Sequence, residues 1–174
     1  MLVSVILLAL GVQGFRFVSP DKTFTARLTI VQQRLHATIT AQGHRWLALG
    51  VNTSPDMIGA DVVFCSPSFN STLQSFVRDY RITRYSFAGL VPDESPDAEG
   101  LVEIKDGTTI CVFSRPLEAT TPKEDLQVLS SAINTFVWGC GSDLGTRVHQ
   151  GTTFGIHTAR GHFIWDPSLV KTEL

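Results

Sequence analysis

The sequence predicts an all-β protein, an immunoglobulin-like antiparallel β-sandwich of about nine to eleven strands. Three observations predict it. Apolar and polar residues alternate with period two in short segments, turn signals recur about every 8 to 12 residues, and almost no stretch carries helical periodicity. With 174 residues and 43% apolar content, the chain suits one domain with a sizeable core.

Residues 24–31 alternate strictly, as do residues 35–39, and Gln32-Gln33-Arg34 joins them as a tight hairpin. Gly43 breaks the chain before a strand over 46–50. Residues 60–65 form an unbroken apolar run, which suits an interior strand better than an edge. Alternation returns over 75–84, where Phe76, Tyr80 and Ile82 recur at even spacing. Residues 91–100 hold Pro92, Pro96, four acidic residues and Gly100, so they are expected to form an exposed loop. A hairpin joins 101–104 to 108–114 through Asp106-Gly107, a strong two-residue turn signal. Residues 122–129 lack alternation and predict a short helix or a structured crossover. The last strands fall at 133–138, 152–157 and 162–165. No internal repeat or domain linker interrupts this series.

Composition excludes several functions. A net charge of -2 without a basic stripe gives no footprint for nucleic acid. There is no Gly-x-Ser-x-Gly, no His-Glu-x-x-His, no glycine-rich phosphate loop and no closely spaced histidine cluster. The chain is therefore read as a domain without its own catalytic constellation.

The two ends carry targeting signals. Residues 1–14 read as a secretory signal: positions 2–10 are almost wholly apolar and too short to span a bilayer, and Val12 and Gly14 precede the cleavage point. A buried N-terminal strand is the alternative. No other apolar run approaches the roughly 20 residues of a span, so the mature chain is expected to lack a transmembrane segment. The final Lys171-Thr172-Glu173-Leu174 differs at one position from a Lys-Asp-Glu-Leu retrieval tail. Together these predict the secretory pathway, either the endoplasmic-reticulum lumen or the cell exterior, with residues 15–170 as the domain. Three cysteines in such a compartment leave at least one unpaired. Cys111 and Cys140 fall on strands expected to be neighbours and are the expected pair, against the alternative of three buried thiols. Two glycosylation sequons, at Asn52 and Asn70, are expected in loops.

Five segments point to a family. Trp46 through Phe64 contains Met57-Ile58-Gly59-Ala60-Asp61 between two apolar runs. It is followed by Val77-Arg78-Asp79-Tyr80, then Phe113-Ser114-Arg115-Pro116-Leu117, Phe136-Val137-Trp138-Gly139, and His157-Thr158-Ala159-Arg160-Gly161. In this order, across about residues 20–167, the chain resembles the DOMON family. The resemblance implies the sandwich and offers several uses for it. Haem-binding members use the methionine equivalent to Met57 as an axial iron ligand.

On that resemblance the first reading is a haem b domain, with Met57 and His157 as axial ligands and one-electron exchange with a redox partner protein or small reductant. Closing both axial positions suits electron transfer, and a thioether raises the potential. His149 is the reserve ligand. His36 and His162 are expected to face outward, and His44 to sit in a turn. Haem propionates want cations. Arg115 is chosen for that role, with Arg147 and Arg160 also available, and with Glu124 or Asp125 as alternative partners of Arg115. Asp61 is read as structural, capping a turn or pairing with an arginine. The second reading is a haem-free module that binds carbohydrate or a protein partner, with Trp138 and Trp165 as stacking surfaces if they are exposed. A third is a structural partner in the secretory pathway.

Overall fold

A computed structural model describes residues 14–67, 75–94, 96–118, 126–129, 132–142, 147–149, 152–154 and 157–169. Two antiparallel sheets face each other. The first has the order β1 (Phe15–Val18), β2 (Phe24–Val31), β3 (Arg34–Gln42), β9 (Thr108–Pro116), β8 (Glu99–Lys105). The second runs β13 (Ala159–Trp165), β10 (Asn134–Gly141), β4 (Trp46–Asn52), β5 (Asp61–Ser66), β6 (Phe76–Ile82), β7 (Leu90–Pro92). A separate two-stranded ladder pairs β11 (Arg147–His149) with β12 (Thr152–Phe154). The expected all-β sandwich is the observed one, and no α-helix occurs among the described residues. No helix there is long and apolar enough to cross a membrane.

Local chemistry explains the hairpins. Gln32 and Gln33, at φ 49° and 61°, make the two-residue turn between β2 and β3. Asp106 and Gly107, at 51° and 74°, do the same between β8 and β9. Alternation then sends one side of each strand inward. Phe24, Leu28, Ile39 and Phe113 of the first sheet meet Leu49, Phe136, Trp138 and Phe163 of the second. Trp138 stacks on Phe24 at 4.7 Å between centroids.

The six-stranded sheet buries its other face as well. Trp46, Ala48, Val62, Phe64, Tyr80 and Val137 form a second apolar cluster there. Strands β4 and β5 are buried at every position, as the apolar run over 60–65 predicts for an interior strand.

Several expectations are corrected. Segment 91–100 is not wholly loop: β7 borders β6, and β8 begins at Glu99. Of the two readings for residues 122–129, the described part, 126–129, is a structured crossover and not a helix, with Val128 buried and its N–H donating to Leu117 O at 2.9 Å. The disulfide joins Cys65 to Cys111, with Cα atoms 6.2 Å apart, and leaves Cys140 free and buried. The expected Cys111–Cys140 pair fails because β9 and β10 are not neighbours in one sheet, and of the two cysteines on the facing sheet, set on either side of Leu47, Cys65 is the one that Cys111 meets. Across the sandwich, the thiol facing Cys111 is that of β5. Residues 1–13, the sequon at Asn70, Glu124, Asp125 and the tail at 171–174 lie outside the described residues.

Candidate functional site

The loop between β4 and β5 places Met57, and hydrogen bonds hold it at both ends. Asn52 Nδ2 donates to Asp56 O at 2.5 Å and Ile58 O at 3.0 Å, while Asn52 Oδ1 accepts from Thr53 N–H at 2.8 Å. Asn52 is thus the loop's buried anchor at the end of β4. That corrects the expectation of Asn52 in a loop. At the other end Gly59 donates its N–H to Ile82 O at 2.7 Å, and does so at φ +87°, where a side chain would be strained. Ala60 is fully buried, and Asp61 opens β5. The Met-Ile-Gly-Ala-Asp segment therefore has a physical reason at most positions.

Met57 itself is half-buried and packs on the outer cluster of the six-stranded sheet. Small residues line that face of the central strands: Ala48 and Gly50 on β4, Gly139 and Gly141 on β10. Trp46 occupies the space they leave. A Cβ at Gly141 would stand 2.3 Å from Trp46 Nε1, so only glycine fits there.

Arg160 on β13 lies opposite Gly139 in register, and that glycine puts no side chain in its path. Its Nη1 reaches Met57 Sδ at 3.8 Å. His157, half-buried, precedes β13 by two residues and so does not end a strand as expected. Burial, and secondarily the Arg160 charge, hold its imidazole below the ordinary histidine value. A neutral ring is the form that ligates metal. Arg160 thus reaches the thioether and acts electrostatically on the imidazole.

The same rim carries a pair that sequence reading missed. Tyr85, 66% exposed, donates its hydroxyl to Asp56 Oδ1. That bond holds the Asp56 carboxyl below its usual range, helped by the Ile58 N–H and by Arg160, and pushes the Tyr85 phenol up. Nothing local in sequence links residues 29 apart.

Arg115 is elsewhere. It lies between the sheets, 2% exposed, with Nη2 donating to Asp61 Oδ2 at 2.6 Å. Asp61 also accepts the Leu126 N–H at 2.8 Å. Asp61 pairs with an arginine as read, but its partner is the residue assigned to propionates. Asp79 stands nearby on β6, accepting from Asp97 and Ala98 N–H at 3.1 and 2.8 Å. Burial pushes its carboxyl up to about 6, against the opposing pull of the Ala98 N–H and Arg115. The structure does not bring Arg115 together with Met57. A cavity of about 10 Å³, room for one water, lies beside Arg115, Val128 and Phe136, inside the sandwich and away from the thioether.

The remaining histidines are dispersed. His36 and His162 are exposed, as expected, and His44 shares a 3.1 Å hydrogen bond with Thr158 Oγ1. For His149 and Arg147 the backbone lies in β11, and their side chains are outside the described residues. Trp138 and Trp165 are each 4% exposed in the core, so neither offers a face to a sugar. No group of three or more His, Cys, Asp or Glu side chains that could hold a metal ion occurs among the described residues.

Comparison with known proteins gives a consistent picture. The family model of the DOMON domain matches residues 20–141. Among solved structures, the chain is similar to the cytochrome b domain of pyranose dehydrogenase from Coprinopsis cinerea. The TM-score is 0.66 at 10% identity, covering 90% of this chain and 83% of that one. It is also similar to the cytochrome domain of Myriococcum thermophilum cellobiose dehydrogenase, with TM-score 0.58 and 12% identity over 88% of each chain. At these identities the likeness is one of fold. No curated protein matches the sequence.

Proposed function

We propose that this chain, which belongs to the DOMON family, holds one b-type haem through Met57 and His157 and exchanges single electrons with a redox partner protein or small reductant. One observation carries the reading. A single exposed guanidinium, Arg160, touches the Met57 thioether and acts electrostatically on His157. Two ligands of the right chemistry thus flank one cation, over a sheet face kept low by glycine and alanine. That the similar folds are cytochrome domains adds support.

The donor set fits the group. A thioether and a neutral imidazole are both soft enough for haem iron. Bound there, haem would supply a one-electron iron couple, with a potential raised by the thioether. The chain's own residues do the rest. Asn52 and Gly59 hold the Met57 backbone in place, burial favours the neutral form of His157, and Arg160 is the cation that would turn from Met57 to a carboxylate. We assign the propionate role to Arg160, because Arg115 is committed to Asp61 within the core.

An absorption spectrum of the purified protein, oxidised and then reduced, tests the proposal. A Soret band that sharpens on reduction, with narrow α and β bands, is expected for a six-coordinate low-spin centre. Met57→Leu should leave the fold intact, at a cost below about 1.5 kcal/mol, yet yield a five-coordinate or water-ligated spectrum. His157→Ala should lose haem more completely, with His149→Ala as the control. A protein that stays colourless through haem titration refutes the reading and turns attention to a haem-free binding module.

A further inference from the structure

The edge of the five-stranded sheet carries an inference independent of haem. Strand β8 is that edge, and no described strand lies beyond it. All of its residues are exposed except Val102. Leu101 and Ile104 are 59% and 45% exposed.

The hydrogen-bond phase of the edge follows from its turn. Lys105 and Thr108 flank the two-residue turn at Asp106-Gly107, so they form a hydrogen-bonded pair. By alternation Glu103, Leu101 and Glu99 also bond to β9. The N–H and C=O groups of Gly100, Val102 and Ile104 therefore point away from the sheet, a row of donors and acceptors awaiting a strand.

We propose that β8 pairs antiparallel with β8 of a second copy, centred on Val102, joining two five-stranded sheets into one. The charge pattern selects this partner and this register. With Val102 opposite Val102, Glu99 of each copy faces Lys105 of the other, and Gly100 faces Ile104. Slipping the register by one step in one direction sets Glu99 against Glu103. Slipping it in the other sets Glu103 against itself. Like charges directly opposite across strands are destabilising, whereas opposite charges stabilise. The charges that discourage promiscuous edge pairing thus permit one symmetric pairing. On the outer face Leu101, beside Val112 on β9, would lie against the stem of the second copy's Glu103.

Sedimentation equilibrium of the full chain, from micromolar to near-millimolar concentration, tests this. The wild type should show a monomer–dimer equilibrium. Glu99→Lys alone, or Lys105→Glu alone, creates two like-charge contacts and should weaken the dimer about tenfold or more. The combined Glu99→Lys/Lys105→Glu protein should recover wild-type association. Both positions are exposed, so unchanged thermal melts would confirm that the variants fold. Amide exchange gives a second readout: Val102 and Ile104 should be protected in the wild type at high concentration and unprotected in Lys105→Glu. A wild type that stays monomeric throughout overturns the proposal, as does a dimer indifferent to the single reversals or one the double reversal fails to restore.

Discussion

Replacing Arg115 with methionine probes what anchors the two sheets to each other. The guanidinium is 2% exposed and bound to Asp61 at 2.6 Å, with both side chains 3% accessible. Methionine keeps most of the stem's volume but removes the positive charge that pairs with Asp61 and acts on Asp79. Breaking a buried pair from one side typically costs about 3–5 kcal/mol, a large share of the roughly 5–15 kcal/mol of a domain's stability. Asp61→Asn should cost less. Its amide oxygen can still accept the Leu126 N–H, and Arg115 keeps Asp79 within electrostatic reach. The double variant should recover much of the loss, because neither charge is then left alone. Urea denaturation of the four proteins at pH 7.5 reads all three values. The pH dependence supplies an independent check. With its cation gone, Asp79 should titrate above its present value of about 6. The folded state then binds the proton more tightly than the unfolded chain, so Arg115→Met should lose stability as pH rises from 5 to 8, more steeply than wild type. A loss below about 1 kcal/mol, or additivity in the double variant, would refute the argument. If the variant keeps its stability but loses haem, Arg115 belongs to the ligand site and not to the core.

Other outcomes follow from the same geometry. Asp79→Asn should stabilise the protein above pH 6, by up to about 3 kcal/mol for a carboxyl raised from 3.8 to about 6, and the advantage should vanish below pH 4. The sign follows because the wild-type folded state holds more protons than the unfolded chain across that window, so wild-type stability falls as pH rises through it; melts at pH 4 and 7.5 decide. Cys65→Ala should cost about 2–4 kcal/mol, since the disulfide closes a 46-residue separation, whereas Cys140→Ala should leave that linkage intact; thiol counting under denaturing conditions separates the two. Asn52→Ala should free the Met57 loop at a cost of about 1–3 kcal/mol, because two hydrogen bonds to loop carbonyls are lost at roughly 0.5–1.5 kcal/mol each, and amide exchange at residues 53–59 should rise before global unfolding.

Strand by strand, what the amino-acid order determined is what depends on near neighbours. Period-two alternation sends Phe24, Ala26 and Leu28 to one side because successive side chains on any strand must point oppositely. Gln32-Gln33 and Asp106-Gly107 make turns because two residues suffice to reverse a chain. The apolar run at β5 announced burial on both faces, and the ordered segments around Met57, Asp79, Arg115, Trp138 and His157 announced the family. Only the tertiary structure decided which strand lies across from which. Alternation cannot say which strand of the facing sheet lies across from β9, and it is β5 and not β10 that brings its cysteine to Cys111. Nor can it say that Arg115 meets Asp61 in the core, while Arg160 on β13 reaches the thioether. Asn52 reads as a sequon until its amide is seen bonded to two carbonyls within its own loop, and Tyr85 has no signal until it reaches Asp56. Side-chain direction is set by adjacent peptides, but side-chain partnership is set by the stacking of two sheets. That stacking depends on the whole core at once.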